Sequence, residues 1–119
     1  MKTTLKSSGA IINVRGSTIL KDHRGFYHLQ KDDYNEILND INRYFAVVFG
    51  NPEKIFIFPK ESLRNFFNNT STILQEGKKP KWYFDIREEN DRYYLKVHSP
   101  GTQEQNIDNH LNKWDQIED

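Results

Sequence analysis

The residues best equipped for chemistry lie in one stretch, Lys78, Lys79, Pro80, Lys81, Trp82, Tyr83, Phe84, Asp85, Ile86 and Arg87. The segment Arg92, Tyr93, Tyr94, Leu95, Lys96, Val97 and His98 answers it. Strand alternation sends Tyr83, Asp85 and Arg87 to one side, with Tyr94, Lys96 and His98 beside them. Cations neutralise phosphates and rings stack on bases, so a surface mixing the two fits a nucleic acid. On this reading Lys78, Lys79, Lys81, Arg87 and Lys96 contact phosphate or a base edge. Trp82, Tyr83 and Tyr94 are the candidate stacking rings, able to hold an unstacked or flipped base. Trp82 carries a conflict, because it alternates in phase with Phe84 and Ile86 and so should face a core. A basic front, Arg15, Lys21 and Arg24, extends the footprint. The same residues also have a structural reading: cross-strand tyrosines stabilise sheets, and alternating charge keeps them soluble.

Other chemistries fit less well. A metal-dependent nuclease needs an acid on one strand and an acid-x-Lys on its neighbour. Asp85-Ile86-Arg87 has Arg in place of Lys, and Tyr94-Leu95-Lys96 has Tyr in place of the acid. Asp85 is the one nuclease candidate; otherwise it reads as an exposed strand residue. Gly77-Lys78-Lys79 lacks the frame of a P-loop, and Ser62 lacks the glycines of a nucleophile elbow. His23, His28, His98 and His110 form no metal-ligand pair, and there is no cysteine. No metal or cofactor is therefore expected. The absence of cysteine fits a reducing compartment, and the expected location is cytoplasmic. No apolar run reaches membrane-spanning length, so no membrane partner is expected.

These residues need a scaffold. The chain has 119 residues, 35% of them apolar and 13% aromatic, with 17 basic and 17 acidic side chains. That is one modest core built largely on rings, with no generic polycationic surface. Residues 1–9 read as a flexible arm, and 10–119 as a single α+β domain. Residues 10–14 predict a short strand. Ile19-Leu20 and Phe26 to Leu29 predict two more around the turn Lys21 to Gly25. Asp33 opens a helix, with Glu36 completing a capping box and Tyr34, Ile37, Leu38 and Ile41 as its stripe. Tyr44 to Phe49 and Ile55 to Phe58 are near-continuous apolar runs, hence central strands covered on both faces and paired antiparallel across Gly50 to Glu53. Glu61 to Asn68 is a short helix, and Asn68 to Lys81 a polar loop. Lys81 to Arg87 and Arg92 to His98 form a second hairpin. Asn106 caps a last helix with Ile107, Leu111, Trp114 and Ile117 as its stripe. The expected architecture is a mostly antiparallel sheet or open barrel of five to seven strands with two or three packed helices.

The order of four segments also resembles a known group. They are Arg43 to Gly50, Ile55 to Leu63, Lys81 to Ile86, and the closing His110-Leu111-Asn112-Lys113-Trp114-Asp115-Gln116-Ile117. Together they resemble accessory DNA-recognition domains of prokaryotic restriction systems, either those preceding the GTPase of McrB-type proteins or those accompanying type II restriction endonucleases. The resemblance covers about residues 26–117 and rests on structural motifs. It implies a module of a restriction or defence protein that recognises double-stranded DNA with a flipped or modified base. Cleavage and nucleotide hydrolysis would then lie with other modules or subunits. A nuclease with a non-standard site and a protein-interaction domain are the alternative expectations.

Overall fold

The computed structural model of the chain describes residues 2–4, 11–74 and 76–116. It is an α+β fold of two open four-stranded sheets with two α-helices. The strands are β1 (Lys2–Thr4), β2 (Ile11–Ser17), β3 (Arg24–Gln30), β4 (Arg43–Phe49), β5 (Ile55–Phe58), β6 (Lys81–Glu89), β7 (Arg92–Val97) and β8 (Gln105–Asn106). Helix α1 (Lys31–Asn39) joins β3 to β4, and α2 (Lys60–Phe67) follows β5. The first sheet has the order β1-β2-β4-β5 and the second β3-β6-β7-β8. All pairings are antiparallel except β2 with β4.

The two apolar runs behave as their composition requires. Phe45, Val47 and Phe49 of β4, with Phe56 and Phe58 of β5, face the main core between the sheets. Ala46 and Ile57 point the other way, into a smaller cluster that Ile12 completes and Trp114 packs against. Both faces of β4 and β5 are thus covered, and the pair joins antiparallel with Phe45 opposite Phe58. From the second sheet, Tyr27, Leu29, Trp82, Phe84, Ile86, Leu95 and Val97 close the main core. Ile37 of α1 and Leu63, Phe66 and Phe67 of α2 plug its side.

Several local expectations are corrected. Lys2–Thr4, within the expected arm, pairs with β2, while residues 1 and 5–10 lie outside the described residues. Ile19-Leu20 is not a strand. Instead β2 runs on to Ser17, and the chain crosses to the other sheet through a turn in which the His23 N–H donates to the Leu20 carbonyl at 2.9 Å. Helix α1 starts at Lys31, so Asp32 and Asp33 fall in its first turn, where acids oppose the positive end of the helix dipole. No capping box forms, and Glu36 instead accepts from Arg43 Nη1 at 2.6 Å. Ile41 lies beyond the helix and is 84% exposed. Asp40 ends the helix there, its carboxylate accepting from the Asn42 N–H at 2.9 Å.

The last predicted helix is absent. Two short 3-10 turns, Asp108–His110 and Trp114–Gln116, flank a segment that lies along the edge of β5. Asn112 sits at φ 53°, a left-handed value that interrupts any helix. Its side chain accepts from the Ile55 N–H and donates to the Glu53 carbonyl, tying the segment to the strand edge. Ile107 and Leu111 serve the main core and Trp114 the smaller one, so their helix-like spacing has another cause. Ile117 lies outside the described residues.

Candidate nucleic-acid interface

The face of the second sheet turned away from the core is built from alternate residues of β3, β6 and β7. Register fixes its rows. His28 lies opposite Tyr83, and the His98 N–H donates to the Tyr83 carbonyl at 2.8 Å, giving the row His28–Tyr83–His98. The next row is Phe26–Asp85–Lys96, and the next Arg24–Arg87–Tyr94. Gln30 opposite Lys81 ends the array. The partners of these residues in sequence, Tyr27, Leu29, Trp82, Phe84, Ile86, Tyr93, Leu95 and Val97, are buried on the core side.

Phe26 stands midway along β3, the edge strand of this polar surface, and is 47% exposed. The His98 ring meets it edge to face, with centroids 6.1 Å apart. Asp85 lies beneath them. It is only 3% exposed, so the expectation of an exposed strand residue is corrected. Arg24 Nη1 donates to one of its oxygens at 3.0 Å and His98 Nε2 to the other at 2.7 Å. A buried carboxylate needs such partners, because an unpaired charge at that depth would cost several kcal/mol. Both oxygens are committed to fixing Arg24 and His98 around Phe26. Among the described residues, no three His, Cys, Asp or Glu side chains stand together as a metal site.

Arg87 is clamped at one end of the face. Its guanidinium lies 4.7 Å from the centroid of the Tyr94 ring. Nε and Nη2 donate to the two Glu104 oxygens at 2.7 and 2.9 Å, and Nη1 to Glu89 at 3.0 Å. Glu104 in turn is held below the usual carboxylate range, first by Arg87. Arg87 and Tyr94 are therefore engaged with each other and with acids rather than presented to a ligand. At the other end, Lys81 places its ammonium 5.7 Å from the Tyr83 centroid. His28 beside them is held below the ordinary histidine value, by burial first and then by the charges of Lys81 and Arg15.

The remaining expected residues are spread around this face. Lys78 and Lys79 are exposed in the loop before β6, with Lys79 3.3 Å from Asp32. Lys96 is exposed next to Asp85. Lys21 is exposed in the turn before β3. Arg24 reaches Asp22 at 3.3 Å as well as Asp85. Arg15 lies on β2 of the other sheet and pairs with Asp33 of α1 at 3.0 Å. Trp82 is the clear correction. It is buried in the main core, packed between Tyr34 and Phe67 at centroid distances of 4.8 and 4.9 Å, and cannot stack on a base.

Phe26, His28 and Glu104 belong to the face but were not among the expected site residues. Alternation within Phe26-Tyr27-His28-Leu29 was the available signal for the first two, since Tyr27 and Leu29 share the buried side. Their placement beside β6 depends on a pairing between segments far apart in sequence. Compared with family models, with curated proteins and with solved structures, the chain matches none.

Proposed function

We propose that this chain is a DNA-binding module that holds its target against the open face of β3, β6 and β7. The observation that carries this reading is Phe26, a large ring left half in water on the edge strand of a polar sheet face, with Arg24 next to it on that face and Lys96 across Asp85 in the same row. An isolated exposed apolar residue needs no explanation, but here the buried Asp85 carboxylate, bonded to Arg24 and His98, holds its surroundings in place. Stacking supplies affinity for bases, and Lys96 and Lys81 at the margins of the face supply contacts to phosphate. The modified-base and restriction-system expectations belong to the same proposal, and the modified-base part is tested in the same experiment.

That experiment is a fluorescence-anisotropy titration with labelled DNA, unmodified and methylated, at two salt concentrations. Binding is expected to weaken as salt rises, and Lys96→Ala to weaken it on every sequence while lowering the salt slope by about one. Binding that salt leaves unchanged, or no binding at low salt, overturns the reading. A preference for the methylated probe supports modified-base recognition, and equal binding removes that part.

A further inference from the structure

We propose that the ligand of this face is single-stranded DNA, its bases laid one after another on outward-facing rings, and not an intact duplex. The proposal rests on the DNA-binding reading above and narrows it. In a duplex the flat faces of the bases are covered by their neighbours, and only edges and backbone are open to a protein. The face presents rings. Phe26 and His28 come from β3, Tyr83 from β6, and His98 from the residue just past β7, in two neighbouring rows. A four-stranded sheet with rings on adjacent strands can stack two or three unpaired bases.

The shape of the molecule argues the same way. A major groove admits a helix or a two-stranded ribbon. Both helices pack their apolar residues into the main core rather than standing on this face. The face is three strands wide, one strand more than the ribbon a major groove admits. The end of the β6–β7 hairpin sets Glu89 and Asp91 against the one cation Arg92, so it offers phosphate no cationic patch.

Charge is the third argument. Duplex DNA carries about one negative charge per 1.7 Å of axis, and binding it tightly takes many cations. This chain balances 17 basic against 17 acidic residues. Arg87 is consumed by Glu104 and Glu89, and Arg24 by Asp85 and Asp22. What the face offers freely is ring surface, with Lys96 and Lys81 at its margins. That balance suits a strand whose bases are already exposed.

The test is anisotropy titration of the full chain with one labelled oligonucleotide, as a single strand and annealed to its complement, at the same low salt. The single strand is expected to bind at least about tenfold more tightly. Phe26→Ala is expected to weaken single-strand binding about tenfold, at a temperature where its melting curve shows it folded, while Phe26→Trp retains binding. Equal or tighter binding of the duplex overturns the inference but leaves the DNA-binding reading intact. A Phe26→Ala variant that binds the single strand as the parent does overturns the inference and also the placement of DNA on this face. Absence of salt-sensitive binding to either probe overturns both.

Discussion

Asp85 shows how one side chain serves the fold and the face together. Its carboxylate sits under Phe26 with Arg24 and His98 closing over it. Replacing it with alanine removes both partners' anchor and leaves a gap on a surface that was sealed. Hydrogen bonds to charged groups contribute about 1.5–3 kcal/mol, and both partners here are partly solvated, so Asp85→Ala is expected to destabilise by about 1–2 kcal/mol, read from the urea midpoint. The same residue was the single nuclease candidate in the sequence, where nothing distinguishes a carboxylate that would bind metal from one that braces neighbours. Gly50 is a second position where one atom decides the outcome. It sits at φ 81°, and a Cβ built on it would lie 2.7 Å from Cγ1 of Ile19. Gly50→Ala combines left-handed strain with that clash and is expected to destabilise by about 1–3 kcal/mol, measured the same way.

Elements with a strong local cause were legible. The β4–β5 hairpin follows from two apolar runs and a turn, and the β6–β7 hairpin from two alternating runs. In the second, Asn90 and Asp91 sit at φ 52° and 61°, the mirror-image two-residue turn that suits the twist of a hairpin. Asn tolerates that conformation and Asp does so less well, so Asp91→Gly is expected to stabilise by about 0.5–1 kcal/mol, seen as a higher urea midpoint. Elements with tertiary causes were not legible. The apolar spacing from Ile107 to Trp114 reads as a helix, yet the clamp of Asn112 on β5 wins, because the residues on either side are drawn to different cores. The burial of Trp82 could be read from its phase with Phe84 and Ile86. The pairing of Phe26 with Asp85 could not, since no local pattern brings β3 beside β6.

For the molecule as a whole, acid acts through two distinct groups. His28 and His110 are both held below the ordinary histidine value of 6.5, burial being the first cause in each. Each binds fewer protons when folded than when unfolded. Their contribution is complete above pH 6.5 and is lost as pH falls through their folded values. Glu104, lowered by Arg87, adds a further loss only in the carboxylate range below it. Urea midpoints are therefore expected to fall between pH 7.5 and 5.5, and His110→Gln is expected to flatten part of that fall. His110 shares a hydrogen bond with Ser62 at 2.8 Å and packs on Phe58, so the variant itself lowers stability at every pH. The order of strands has a consequence for how the molecule comes into being. The chain enters the first sheet with β1 and β2, crosses to the second with β3, returns for β4 and β5, and crosses again for β6, β7 and β8. The two hairpins close over short loops and need nothing else, so they can form early. Docking β3 on β6 closes a loop that holds α1, β4, β5 and α2, and must await them. During synthesis the ring-bearing face is consequently assembled late, and a chain stopped before β6 carries Phe26 with nothing to stand beside.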